Sequence, residues 1–179
     1  MKYNFEYITN YVTEYDPGVP KTIILGVLTV VCGIIIVQSL TSSNGRAFIK
    51  NAAWCILIGY VFLTICATVL FRETSETMRY SFYPFRSYTQ LYDKLLAQII
   101  LNVAMFIPIG YLGGVAIKKM NTTKVLAIGC LLSLTIEIIQ LFSRRGVFNI
   151  DDVIHNTLGC AIGYGAFRLC NTILTSYTR

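Results

Sequence analysis

The sequence contains little charge. Only 13% of its 179 residues are Asp, Glu, Lys or Arg, whereas 55% are hydrophobic, and the mean hydropathy is +0.60. An ordinary soluble domain carries about 25% charged residues. A soluble fold of this length could not cover its surface with so few, so the composition excludes an ordinary soluble domain.

Histidine is also scarce, with one residue, His155, and the six cysteines all fall within long apolar runs. A zinc site needs clustered Cys and His ligands, and a disulfide framework needs cysteines in an oxidising aqueous compartment. We therefore predict no cofactor, no metal and no disulfide, and we interpret the cysteines as small buried apolar residues. The net charge is +6, but the basic residues do not form a stripe interleaved with aromatic residues. We therefore predict no nucleic-acid partner.

Five apolar runs approach or reach the length of about 20 residues that a helix needs to cross a membrane. They cover residues 22–40, 52–71, 95–117, 125–142 and 153–174. The first two contain no charged residue, and the fifth is the least apolar. These runs predict an all-α, multi-pass membrane helical bundle over residues 21–179, with about five transmembrane helices.

The segment before the first run, residues 1–20, carries Tyr3, Tyr7, Tyr11 and Tyr15 at four-residue spacing. On a helix this spacing makes one aromatic stripe, and Tyr favours the depth of the lipid headgroups. We predict an interfacial amphipathic helix, with a partner-binding helix as the alternative. No cleavable signal peptide is recognised, so we interpret the first run as a retained span.

The distribution of basic residues predicts the orientation in the cell membrane. With five spans, the loops 41–51 and 118–124 share a side with the C-terminus, and this side holds seven basic residues and no acid. The other side holds eight basic and eight acidic residues. Only Lys and Arg count in the positive-inside rule. The seven basic residues on the first side lie in much shorter segments than the eight on the other side. We therefore place the N-terminus outside and the C-terminus in the cytoplasm.

An ionisable residue inside the membrane is costly and marks a candidate functional site. Glu137 lies within the fourth run, and Ser133, Gln140 and Arg144 share its helical face. The short connection to the fifth run makes these two helices antiparallel neighbours. A second stripe, which contains Asp152, Asn156, Gly159 and Gly163, can then face the first near the outer surface.

Two interpretations of this cluster stay open. In one it is a structural network, in which Glu137 pairs with an arginine, and Asp152 and Asn156 close the helix ends. Asp151 and Asp152 also lie at the start of the fifth helix, where carboxylates favour the helix dipole and can serve as caps. In the other it is a pocket for an anionic headgroup, with Arg86, Arg144 or Arg145 facing a phosphate. Glu137 would then position the ligand.

Three short segments of the sequence carry a further signal. They are Tyr83-Pro84-Phe85, then Asn102-Val-Ala-Met-Phe-Ile-Pro-Ile-Gly110, and finally Glu137-Ile-Ile-Gln140 followed by Arg145, Asp151-Asp152-Val153-Ile154 and Asn156-Thr157-Leu158-Gly159. These segments resemble signatures of the VanZ family. Together they cover about residues 80–165. The resemblance implies an envelope protein of a family named after an accessory protein of a glycopeptide-resistance cluster, linked to teicoplanin resistance.

The resemblance also implies that Glu137, Gln140, Arg145, Asp152 and Asn156 are the best candidates for a functional polar set, although it assigns no reaction. The full set of candidate ligand-binding residues is Arg86, Asn102, Glu137, Gln140, Arg144, Arg145, Asp151, Asp152 and Asn156.

Three functions are compatible with these residues. The first is a protein that binds or moves an anionic amphiphile at the outer face, such as a lipid-linked cell-wall precursor or an isoprenoid phosphate. It is favoured by the polar cluster, the arginine-rich aromatic loop at 72–94, and a third run interrupted by Pro108 and glycines, since broken helices are common at transporter sites.

The second function is a non-catalytic scaffold for envelope enzymes, with membrane lipids as its surroundings. The third is an intramembrane lipid phosphohydrolase, with Glu137 or His155 as general base and Asp151 and Asp152 holding Mg²⁺. A single His and few carboxylates count against an enzyme. The sequence does not predict an oligomeric state.

Overall fold

A computed structural model describes residues 21–41, 44–85 and 93–177. The predicted interfacial segment 1–20 and the candidate Arg86 lie outside these residues. The described chain forms five α-helices and two short strands. The bounds are α1 Lys21–Thr41, α2 Gly45–Ile65, β1 Arg79–Ser81, α3 Asp93–Ala116, α4 Thr122–Ser143, β2 Val147–Asn149 and α5 Ile150–Tyr177.

The helices follow the apolar runs, and the prediction of an all-α membrane bundle is confirmed. Three helical stretches are long and apolar enough to cross a membrane: Gly45–Leu70, Leu96–Ala116 and Thr122–Ser143. In α1 the apolar stretch Ile23–Ile36 is shorter. The chain is a helical membrane protein, and the number of five passes stays a prediction.

Apolar side chains on the outside of the bundle suit a lipid environment. On α1, Leu25, Leu28 and Val30 are exposed. This helix packs against α2. Val31 of α1 lies so close to Gly59 of α2 that a Cβ added to the glycine would be 2.9 Å from the valine side chain. Lipid tails solvate such apolar surface, so the exposed leucines and valines carry no penalty in a membrane.

The most extensive helix interface joins α3 to α5, and glycines make it possible. A Cβ at Gly159 would overlap the Val103 carbonyl oxygen, and one at Gly163 would overlap that of Ile107. Small residues let membrane helices approach to backbone contact, where packing replaces the missing hydrophobic force. The Gly159/Gly163 spacing, a weak signal in the sequence, therefore marks the central interface.

Tyrosine hydroxyls link helices inside the bundle. The Tyr60 hydroxyl donates to the Met105 carbonyl over 2.9 Å, and the Tyr164 hydroxyl donates to the Met120 carbonyl over 2.8 Å. The first bond lies beside Pro108, yet α3 remains one helix over its whole length. The interpretation of the third run as a broken, transporter-like helix is therefore wrong, because its backbone continues through the proline.

Short irregular elements join the helix ends on one side of the bundle. The helix α2 continues as a π-helical segment, Cys66–Leu70. The strands β1 and β2 pair in parallel, with Arg79 opposite Val147. The chain leaves α4 through Arg144, whose left-handed backbone (φ 58°) ends the helix. The ends of α2 and α4 and the starts of α3 and α5 therefore share this side.

The cysteines only partly match their prediction as buried residues. Cys66 and Cys160 are buried, whereas Cys32, Cys130 and Cys170 are exposed on the outside of their helices. An outward face of a membrane helix accepts a small apolar side chain as readily as the interior does. Apolar character alone therefore could not distinguish the two locations.

Candidate functional site

A cavity of about 380 Å³ lies between α2, α3, α4 and α5, near the helix ends that the strands join. One part of its wall is apolar and includes Leu101, Met105, Phe106 and Ile136. The other part is polar, and its residues are Thr68, Arg72, Gln98, Asn102, Glu137, Gln140, Asp152 and Asn156. Exposed residues such as Gln98 and Ala104 belong to the lining, so the cavity reaches the surface.

Glu137 and Gln140 enter the cavity from α4, where their three-residue spacing places them on one face. Glu137 is 2% exposed, and its Oε2 accepts a hydrogen bond from the Asn149 backbone N–H over 2.9 Å. Gln140 donates from Nε2 to the Thr68 carbonyl over 2.9 Å. That carbonyl belongs to the π-helical segment, so the bond connects α4 to α2.

Asp152 reaches the cavity from the first turn of α5. Its Oδ1 accepts from Asn149 Nδ2 over 3.0 Å, and its side chain is also hydrogen-bonded to Asn102 of α3. Asn149 in turn accepts from the Asp151 backbone N–H over 3.2 Å. The N-cap of α5 is therefore Asn149, while Asp151 and Asp152 lie in the first turn of the helix, where carboxylates favour the helix dipole.

Asn156 lies one helical turn further along α5 and is 4% exposed. It donates from Nδ2 to the Ser133 hydroxyl over 2.8 Å, so the two polar stripes predicted on α4 and α5 do face each other. Its Oδ1 is buried and has no hydrogen-bond partner. The Nδ2 bond therefore fixes the side chain, and the carbonyl oxygen is enclosed within the bundle.

Arg72 supplies the positive charge among the described residues that line the cavity. It follows the π-helical segment, is exposed, and interacts electrostatically with both Glu137 and Asp152. The sequence placed Arg72 only at the start of the arginine-rich aromatic loop at 72–94. The one available signal was its position directly after an uncharged span.

The candidates Arg144 and Arg145 bind backbone instead of lining the cavity. Arg144 donates from Nη1 to the Glu76 carbonyl over 3.4 Å, and Arg145 donates to the Leu70 carbonyl. Both bonds attach the end of α4 to the segment after α2. The left-handed cap at Arg144 takes its side chain off the helical face on which the sequence had placed it.

Asp151 does not line the cavity. It binds the loop between β1 and α3 instead. It is 0% exposed, and its Oδ1 accepts from the Phe85 backbone N–H over 2.6 Å. It also interacts electrostatically with buried His155. Phe85 has a left-handed backbone (φ 63°), which turns its N–H toward this carboxylate. Within the described ranges, no group of three or more His, Cys, Asp or Glu side chains could hold a metal ion.

Comparison with known proteins decides the family. The profile described as VanZ/LLP1 matches residues 52–171. The chain belongs to the VanZ/LLP1 family. It is 40% identical over 74 residues to Protein VanZ of Enterococcus faecium, an alignment that covers 41% of this chain and 46% of that protein. The aligned part is thus less than half of the relative, and no solved structure matches the chain.

The VanZ/LLP1 region contains the whole cavity. Its lining residues run from Tyr60 to Asn156, and all lie within the matched range. The helix α1 lies before it. The resemblance seen in the three short segments is thereby confirmed, and the candidates Asn102, Glu137, Gln140, Asp152 and Asn156 meet in one place.

Proposed function

We propose that this VanZ/LLP1 protein binds an anionic lipid-linked envelope precursor in the cavity at the outer face, and so contributes to glycopeptide resistance of the teicoplanin type. One observation carries the proposal. The cavity has a polar wall and an apolar wall, and its lining includes residues on the bundle surface. An amphiphile presents the same two chemistries in one molecule.

The cavity suits the head of such a ligand rather than its whole length. Its volume of about 380 Å³ is at the lower end of the range of roughly 300–1,000 Å³ for small-molecule sites. Exposed Ala104 lies on a helix that is apolar enough to span the membrane. A lipid chain can therefore leave the cavity beside α3 and continue among the surrounding lipid tails.

Arg72 is the group that favours a phosphate. A guanidinium is always charged and binds phosphate oxygens through two parallel N–H bonds. Of the described residues that line the cavity, Arg72 is the cation. It is exposed, so a phosphate can approach it before the head enters the buried part of the site.

The location at the outer face follows from the proposed orientation. With the C-terminus in the cytoplasm, five passes put the end of α4 and the start of α5 outside. Glycopeptide antibiotics act on precursors at the outer face, and the resemblance associates the family with teicoplanin resistance. A cavity on that side would meet the same class of molecule as the antibiotic.

The test is native mass spectrometry of the protein purified in detergent. We expect the wild type to carry a phosphorylated isoprenoid or precursor adduct that a Glu137→Gln/Asp152→Asn double variant lacks. A Glu73→Gln/Glu76→Gln variant removes the same charge from exposed loop positions and should keep the adduct. Equal adducts on all three proteins, or bulk phospholipid alone on the folded wild type, would contradict the proposal.

Growth of cells on teicoplanin tests the second half of the proposal. Cells that produce the double variant should lose the resistance given by the wild type, and the loop variant should retain it. Loss of resistance in Glu137→Gln with unchanged lipid binding would separate the two activities. The binding would then not be the cause of the resistance.

A further inference from the structure

We infer that Gly146 is a positioning residue for the phosphate site, because the space above this glycine holds the Arg72 guanidinium against the polar wall of the cavity. This inference rests on the proposed function and deepens it, since Arg72 is the group that favours a phosphate there. It follows from the backbone contacts that flank Gly146 and from the two side chains that lie against it.

Backbone contacts on both sides of Gly146 fix it against the segment that follows the π-helix. Before the glycine, the Arg144 carbonyl accepts a hydrogen bond from the Ser75 backbone N–H over 2.7 Å. After the glycine, Val147 is the partner of Arg79 in the parallel pair of strands. The turn between α4 and β2 and the segment after the π-helix are therefore joined at two points, and Gly146 lies between them.

The same turn is attached to a cavity residue, Gln140. The Gln140 carbonyl accepts from the Arg145 backbone N–H over 3.0 Å. The Gln140 side chain is 3% exposed, and its Nε2 donates to the Thr68 carbonyl of the π-helical segment. The amide of Gln140 is therefore held in place from both ends, by the turn and by the π-helix.

Gly146 lies against two side chains of the cavity wall, although it is not among the described residues that line the cavity. A Cβ added to Gly146 would be 3.0 Å from Gln140 Oε1 and 3.1 Å from Arg72 Nη1. Both distances are shorter than ordinary van der Waals contact. The backbone of Gly146 is not left-handed, so space rather than conformational freedom explains the glycine.

A side chain at position 146 would displace the guanidinium of Arg72. Gln140 is buried and bonded to Thr68, whereas Arg72 is exposed and has a long side chain that can adopt other rotamers. An arginine that is already held in the binding geometry loses less conformational entropy when a phosphate binds. Displacement of the guanidinium would restore this cost and weaken the binding of a phosphate.

Isothermal titration of the purified protein in lipid nanodiscs, with a short-chain isoprenyl phosphate as the probe, tests the inference. We expect Gly146→Val to bind the probe about two- to tenfold more weakly than the wild type, the ratio for one long side chain that must be ordered on binding. Gly146→Ala should show a smaller loss and replaces the valine variant if that variant does not fold. Gly165→Val is the matched control and should bind as the wild type does, because nothing lies within 4 Å of an added Cβ there.

A double-mutant cycle shows whether Gly146 acts through Arg72. In an Arg72→Gln protein the guanidinium is absent, so the further change Gly146→Val should alter the affinity for the probe by less than about twofold. A disturbance of the turn that acts by another route would instead reduce the affinity by the same factor with and without the arginine. The size of the coupling therefore separates positioning of Arg72 from a general structural effect.

The outcomes distinguish this inference from the proposed function. Wild-type affinity in folded Gly146→Val and Gly146→Ala would overturn the inference and leave the proposed function standing. Equal factors in the two halves of the cycle, or an equal loss in Gly165→Val, would also overturn it. Failure of the wild type to bind the isoprenyl phosphate would instead contradict the proposed lipid site.

Discussion

The Asn149 backbone N–H donates a hydrogen bond to Glu137 Oε2 over 2.9 Å, from the last residue of β2 to the middle of the polar face of α4. This single bond gives the buried Glu137 carboxylate a structural partner, and Glu137 also lines the cavity. The structural and functional interpretations of the polar cluster are therefore compatible, because Glu137 makes a structural bond and also lines the cavity.

Substitution of Glu137 should separate these two parts. In Glu137→Leu the half-buried Asn149 N–H loses its acceptor, and the free energy of unfolding should fall by about 1–3 kcal/mol. Glu137→Gln keeps an oxygen at the same place and should lose less than half as much. Unfolding in mixed detergent micelles, followed by circular dichroism, measures both. Equal stability of the two variants would show that the bond to Asn149 contributes little.

Alanine substitutions at two glycines of α5, Gly163 and Gly165, should have very different effects on stability. In Gly163→Ala the new methyl group overlaps the Ile107 carbonyl of α3, whereas around Gly165 nothing lies within 4 Å. Overpacking of a tight interface costs about 1–3 kcal/mol. We expect a lower thermal midpoint and less monodisperse protein for Gly163→Ala, and wild-type behaviour for Gly165→Ala. A stable Gly163→Ala protein would contradict the close approach of α3 and α5.

Much of this arrangement was predictable, because the membrane imposes simple rules on a sequence. Apolar run length located all five helices, most ends within three residues, although α2 begins at Gly45, seven residues before its run. The cost of burying polar groups in the membrane pointed to Glu137, Asp152 and Asn156, and the short link between two runs predicted that α4 and α5 face each other. These inferences used local sequence and one short connection.

Other features depend on contacts between distant residues. The pairing of Arg79 with Val147 joins two strands of three residues each, which are too short for a periodic signal. Arg144 follows the spacing of a helical face but adopts a left-handed cap, and so it leaves the cluster. Arg72 belongs to the site only because the π-helical segment ends beside Gln140 and Glu137.

Removal of the cavity's cation should weaken phosphate binding specifically. For Arg72→Gln, the loss of a charge-assisted bond of about 1.5–3 kcal/mol corresponds to a decrease in affinity of about ten- to a hundredfold for a short-chain isoprenyl phosphate. Arg145→Gln is the matched control, because Arg145 binds the Leu70 carbonyl and does not line the cavity. Isothermal titration in nanodiscs measures both affinities. An equal loss in the two variants would indicate general surface electrostatics.

The bond between Asp151 and Phe85 should determine the order of the segment before α3. In Asp151→Ala the Phe85 N–H loses its carboxylate acceptor, and its amide hydrogen exchange should become faster. Asp151→Asn retains an oxygen acceptor and should protect the amide better. Hydrogen exchange followed by mass spectrometry of peptides around residues 79–85 measures the difference. Unchanged exchange in Asp151→Ala would show that other contacts hold this segment.

The orientation of the chain decides whether the cavity meets outer-face precursors. Insertion of an alkaline phosphatase, which is active only outside the cytoplasm, after Glu76 should give active enzyme. Insertion after Lys119, or fusion to the C-terminus, should give inactive enzyme, because Lys118, Lys119 and Lys124 favour the cytoplasmic side. The reverse pattern would place the cavity at the cytoplasmic face and remove the proposed access to outer-face precursors. An inactive fusion after Lys119 with an active one at the C-terminus would show that α5 does not cross the membrane.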